Sequence, residues 1–413
     1  VNNAEPRVAS RPPILAAFAV RDFRLLWAGL LVSNLGTWMQ FTALGFYVAS
    51  LANNAEQGAL NIGFIGLARA IPVLLLSPIA GVVADRYPRK TVLLITNGLT
   101  ALIAFAAFVL IALHHAPLWA LMIVSGAAAG TQSFDSPARQ SWVPLMVPRA
   151  LVGGAVGLNS IAFNAPAVVG PPVAGLLIAA IGVAPCFLVN AIATFGVVIA
   201  LLIMRPAPAS DTERGNVIHA ILEGVRFLFA HPVLRWVILM LIVTSLTVRP
   251  YNFLLPAYAV HVLHTDARGL GWLLASGGIG AIIGAFFTAA TGGQKRGAIW
   301  LFSAALGGAA IAALGFSTTF IPATIALAFT GFSALSFTGS SNILLQTLAP
   351  DDMRGRALSV YSMILLGLVP LGSLAIGAAA TVLNLHQTFV AAGAIALLIA
   401  IGIGITQPAV RAA

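Results

Sequence analysis

Arg69 stands about ten residues inside an apolar run, and no acidic residue lies at a comparable depth. If that run is a membrane helix, the guanidinium is ~15 Å along it at 1.5 Å per residue, near the middle of a ~30 Å hydrocarbon layer. Placing an arginine there costs at least about 2.5–3.5 kcal/mol on insertion scales, so it should face a watery cavity or an anion. The eleven acids map to loops, termini or helix ends. That favours a substrate anion as its partner, with a structural role bonded to backbone carbonyls as the competing reading. Arg249 lies deep in a second apolar run, ~24 Å from its start, and could snorkel outward. Its neighbours Tyr251, Asn252 and Phe253 offer polar and aromatic contacts, as do Asn34, Trp38 and Gln40 on an earlier run. Aromatic side chains in such runs more often pack than bind.

Three further groups carry charge or backbone chemistry. The stretch from Gly81 to Lys90 holds Asp85, Arg86, Arg89 and Lys90 between two apolar runs, as a tight hairpin between membrane helices would. A carboxylate at Asp85 could cap a neighbouring helix or pair with an arginine of the same hairpin. Asp135 could pair with Arg86 or Arg89, or locally with Arg139 one turn on. The run with Asn164, Pro166, Gly170, Pro171, Pro172 and Gly175 lacks bulk where a helix could approach a neighbour, and its prolines remove donors and bend it. Glycine and proline are also common in membrane helices without a special role.

Catalytic signatures are missing. There is no His-Glu-x-x-His, no Gly-x-Ser-x-Gly and no phosphate-binding Gly-rich loop, so an enzyme is not expected. The single cysteine, Cys186, excludes a disulfide within the chain and reads as a small core residue. No cofactor is implied. The net charge of +10 does not point to nucleic acid, because the basic residues sit at helix ends and not on one face.

The elements that must position these residues follow from composition. At 60% hydrophobic and 8% charged, with mean hydropathy +0.99, 413 residues cannot cover a soluble surface. At ~20 residues per span, the pattern predicts an all-α integral membrane protein with about twelve transmembrane helices. They fall near 23–51, 59–84, 91–112, 117–138, 152–181 and 184–204, then 233–258, 268–290, 297–316, 320–347, 357–383 and 387–406. All Lys and Arg except Arg69, Arg249 and Arg268 then map to the face holding both termini. By the positive-inside rule that face is cytoplasmic. The run from Ile14 to Val20 is short and followed by Arg21 and Arg24, so no cleaved leader is expected. The division is an N-terminal bundle 1–204, a linker with an amphipathic helix 205–232, and a C-terminal bundle 233–413. In the linker, Val217, Ile221, Val225 and Leu228 recur at helical spacing, suited to a strap in the membrane interface. A repeat at an offset of 202 matches Pro148, Gly153, Gly170 and Gly175 to Pro350, Gly355, Gly372 and Gly377.

The Gly-x-x-x-Asp-Arg-x-x-Arg-Lys spacing from Gly81 resembles the signature loop of the major facilitator superfamily, with Pro88 in place of that loop's second glycine. Asp22-Phe23-Arg24-Leu25-Leu26-Trp27, the segment Asp135 to Gln140, Val147-Pro148-Arg149, Leu158-Asn159-Ser160 and Glu223 to Leu228 resemble its siderophore-exporter branch, which includes macrolide-efflux relatives. The resemblance implies two six-helix bundles around a central cavity lined by the first, fourth, seventh and tenth helices. It also implies that Asp85 latches the cytoplasmic side against the start of helix eleven, near Gly355 to Ser359. Gly170, Pro171 and Gly175 resemble an antiporter motif, which implies a helix-five hinge and a proton as coupling ion. The expected function is secondary active export of a small amphipathic, anionic, siderophore-like molecule across the cytoplasmic membrane by a monomer. Multidrug or macrolide efflux by proton antiport and a lysophospholipid flippase are the alternatives.

Overall fold

The structure is a computed structural model describing residues 15–204, 217–291 and 296–412. Within its helices, the side chains of residues 78, 81, 82, 84, 85, 217–221, 351, 352 and 366 lie outside the described set. Among the described residues every regular element is helical. In chain order they are α1 (Arg21–Ser50), α2 (Ala55–Arg86), α3 (Arg89–Ala112), α4 (Leu118–Trp142), α5 (Val152–Ile181) and α6 (Ala184–Ile203). Then come α7 (Val217–Ala230), α8 (Leu234–Thr247), α9 (Tyr251–His261), α10 (Ala267–Ala290) and α11 (Arg296–Phe316). The chain ends with α12 (Phe320–Leu348), α13 (Asp351–Leu383), α14 (Leu385–Thr406) and a short α15 (Pro408–Ala412).

Local chemistry sets several helix ends. Asn54 accepts from the Gln57 N–H at 2.8 Å to start α2, and Asp266 accepts from Gly269 at 3.0 Å to start α10. Asn384, at φ 64°, turns α13 into α14 in one residue and accepts from Gln387 at 3.0 Å.

Each expected span is helical, but the seventh is broken. The single helix expected over 233–258 is α8 and α9, parted at residues 248–250. Pro250 supplies no N–H and its ring displaces the carbonyl one turn back; the Val248 and Arg249 N–H groups both donate to Thr244 O, at 3.0 and 2.9 Å. Counting α8 and α9 as one, 10 helices among the described residues are long and apolar enough to cross a membrane. The two others, α1 and α4, have 30 and 25 residues. They are long enough, but carry polar side chains such as Asn34, Thr37 and Gln40, or Gln132, Ser133 and Asp135.

The outside of the bundle is apolar. Leu75 is 67% exposed, Phe286 72% and Val382 83%, a surface for hydrocarbon and not for water. Inside, small residues bring backbones together. Gly280 and Gly284 of α10 lie on the carbonyls of Ala328 and Phe332 in α12, and Gly331 lies on that of Gly277.

Helices α1–α6 pack among themselves and so do α8–α14, and the two groups are joined chiefly by α2 on α13 and α5 on α10. The sequence repeat reappears in these contacts. A Cβ added at Gly170 would come within 2.7 Å of Trp38 Cβ on α1, and one at its match Gly372 within 2.7 Å of the Pro250 ring, beside α8. Gly175 lies on the Ala267 carbonyl at the start of α10, and its match Gly377 on the Ala59 carbonyl at the start of α2. The amphipathic helix α7 packs on the start of α13, where Arg356 Nη1 and Glu223 Oε2 form a 2.6 Å ion pair. Residues 205–216, the first part of the linker read as 205–232, lie outside the described residues.

Candidate substrate cavity

The two groups of helices meet at one end of the bundle and part at the other. At the end away from the start of α1, Phe41 of α1 packs edge-on against Phe253 of α9, 5.2 Å between ring centroids. Trp38 packs edge-on against Phe41 at 5.7 Å. One turn beyond, a Cβ on Gly45 would fall 2.6 Å from Pro256 Cγ, so α1 and α9 touch without bulk between them. His261 Nε2 donates to Ala49 O at 2.9 Å, closing the seal. At the terminal end, where α1 begins and α14 ends, no substantial packing joins α4 to α12 or α13 among the described residues. Gly153 and Gly355, paired by the repeat, are both exposed there with nothing within 4 Å of an added Cβ. Among the described residues the halves are therefore packed less closely at the terminal end than at the seal.

Arg69 lies against that seal. Phe41, Leu44, Ile65, Phe253 and Pro256 surround it in a pocket of about 20 Å³, room for about one water. One turn before it, Gly66 lies against Ser373 and the Pro370 carbonyl of α13, the close approach that sets this stretch of α2. The Arg69 side chain is partly exposed and has no hydrogen bond or ion pair among the described residues. Neither a carboxylate nor a backbone carbonyl meets its five donors. A larger apolar groove of about 610 Å³ lies between α2, α3 and α4. Among the described residues its lining has no charged side chain.

Arg249 does not snorkel outward. The break between α8 and α9 turns it inward, and Nη2 donates to Ala334 O of α12 at 3.4 Å. Tyr251 and Tyr361 lie close enough to interact with its charge. Tyr361, anchored by its hydroxyl to Thr338 O at 3.1 Å, was not singled out from the sequence, where nothing in its spacing distinguishes it from a packing aromatic.

The other expected cavity residues divide. Trp38 belongs to the aromatic seal next to Arg69. Asn34 instead donates to Ala162 O of α5 at 3.0 Å, and Gln40 accepts from Asn190 of α6 at 2.6 Å. Both tie α1 to its own half, Gln40 within a polar ladder that includes Ser33 and Thr194 at 2.9 Å. Asn164 is exposed and donates to Ser160 O on its own helix at 2.8 Å. It lies one turn from Val168, which packs on Gly278 of α10, and so shares that face. Pro171 and Gly175 hold α5 against α10, while Gly170 holds it against α1.

At the terminal end, Asp135 pairs with Arg139 at 3.2 Å and accepts from Asn97 Nδ2 at 2.8 Å. The open choice of partner thus falls to the local one. Arg139 also lies over the Phe163 ring of α5, 4.9 Å from its centroid. Arg89 donates to Ser141 at 2.9 Å instead of reaching Asp135, and Arg86 is exposed. The latch expected of Asp85, and the packing of Gly81, lie outside the described side chains.

Known proteins share this architecture and this sequence pattern. The chain is similar to the multidrug efflux pump Tap of Mycolicibacterium fortuitum, 29% identical over 347 residues, covering 81% of this chain and 84% of the relative. It is also similar to the enterobactin exporter EntS of Shigella boydii, 27% identical over 351 residues, covering 84% and 80%. Among solved structures, a bacterial homologue of the human lysosomal transporter Spinster superposes with a TM-score of 0.75 at 14% identity, covering 95% of this chain and 98% of that one. A D-xylose–proton symporter does so at 0.73 and 13%, covering 96% and 99%. These relatives are transporters, not enzymes. The profile of the transmembrane secretion effector family matches residues 13–412, and the chain belongs to that family of major facilitator efflux transporters.

Proposed function

We propose that this chain is a secondary active exporter of a small amphipathic anion, working by alternating access between its two helical halves. The terminal end, rich in Lys and Arg, is read as cytoplasmic, and with it the described conformation as inward-open. The observation that carries the substrate charge is Arg69, partly exposed beside the seal and without a counter-ion among the described residues. An unpaired guanidinium in a low-dielectric cleft favours an incoming carboxylate or phenolate. The exporter EntS among the relatives supports a siderophore-like cargo. The pump Tap supports a drug as the second reading, and a lysolipid is a third. A proton is read as the coupling ion, and the protein as a monomer of the cytoplasmic membrane. Asp135 lies about two turns inside the end of α4, deeper than the other described acids, and is the residue this reading assigns to proton exchange.

Transport by purified protein in proteoliposomes, driven by an imposed pH gradient, tests this against siderophores, antibiotics and lysolipids. Uptake of anionic amphiphiles that collapses with the gradient is expected. Movement confined to cationic drugs or to lysolipids would overturn the anionic assignment.

A further inference from the structure

The anionic reading leaves a second guanidinium unused. Of the five donors of Arg249, one meets Ala334 O at 3.4 Å. No acidic side chain pairs with it among the described residues. Its depth can be read from α13. Residues Pro370 and Ser373 touch α2 at Gly66, one turn before Arg69, while Gly372 touches Leu246 and Pro250, which flank Arg249. The two arginines therefore stand at one level of the bundle, on either side of α13. They lie on the two sides of the seal: Phe253, one turn beyond Arg249, lines the same small pocket as Arg69. Each half thus supplies one uncompensated cation, with apolar and aromatic side chains between them.

We propose that Arg249, flanked by Tyr251 and Tyr361, forms a second anion subsite, so that the cargo is an apolar body with an acidic group at each end. The inference rests on the anionic reading and adds the second charge and its location. A dianion held by both halves bridges them, and an exporter that must sense cargo before it rocks needs such a bridge. The Tyr251 hydroxyl, which donates to nothing among the described residues, can donate to a carboxylate or phenolate beside the guanidinium, while that of Tyr361 is spent on Thr338 O.

The test compares two probes on one ring, 2-naphthoate and 2,6-naphthalenedicarboxylate, by calorimetric titration of the purified protein in detergent. The dicarboxylate should bind about 10- to 100-fold tighter, the worth of one charge-assisted hydrogen-bonding contact. Arg249→Gln should bring that ratio to about one. Equal affinities for the unaltered protein would overturn the second subsite while the anionic reading stands. Binding of neither probe would overturn both. Should Arg249→Gln fail to fold, the ratio in the unaltered protein decides, with Tyr251→Phe expected to narrow it.

Discussion

Arg69→Ala should reduce export in proteoliposomes by at least 100-fold while the protein folds as well as before. The loss follows from the bond count. A carboxylate held by two guanidinium donors makes a forked, charge-assisted pair, each bond worth about 1.5–3 kcal/mol. Roughly 3 kcal/mol or more of binding is two orders of magnitude at about 1.4 kcal/mol per tenfold. Stability should move the other way. Arg69 makes no hydrogen bond or ion pair among the described residues, so its removal orphans no partner and relieves part of the ~2.5–3.5 kcal/mol cost of a charge at mid-bilayer. Thermal unfolding at an unchanged or higher temperature, together with lost transport, separates a binding arginine from a structural one. A lower unfolding temperature with transport retained would reverse the assignment.

Gly45→Val should shift the protein from inward-open to outward-open. The Gly45 position is 2.6 Å from Pro256 Cγ for a Cβ alone, so a branched side chain cannot fit while α1 and α9 stay sealed. Overpacking of this kind costs about 1–3 kcal/mol. When it falls on one conformation only, it moves the equilibrium between the two by roughly 5- to 150-fold. The opposite end reports the change. Gly355 is exposed, with open space around it, and the native Cys186 is buried, so Gly355→Cys gives a single accessible thiol. Its maleimide labelling should slow when Gly45→Val is added, in proportion to the inward-open fraction lost. Unchanged labelling would mean that the seal and the open end are not linked.

The twelve-span outline was legible because charge is scarce. Arg and Lys punctuate the apolar runs, and shifting one helix would scatter them over both faces. The repeat was legible for a related reason. Gly170, Gly175, Gly372 and Gly377 each sit where another backbone comes too close for a side chain, so their spacing survives in both halves. Direction was not legible. Whether Arg249 turned outward or inward depended on the break that Pro250 puts into the seventh span, a proline the periodicity passes over. Gln40 and Asn34 read as cavity residues because they are polar on an apolar helix. Their partners, Asn190 and the Ala162 carbonyl, belong to helices more than a hundred residues away. Asp135 had both its near and distant arginines available in sequence, and the distance to the hairpin decided between them.

The account rests on a solvated, anion-accepting guanidinium beside the seal. Phenylglyoxal reacts with water-accessible arginines, and peptide mass spectrometry reads which ones. Arg69 should be modified, protected by 2-naphthoate and left unprotected by the uncharged 2-naphthamide. Arg69 remaining unmodified while the exposed Arg86 reacts, or protection by the amide as strong as by the acid, would contradict it.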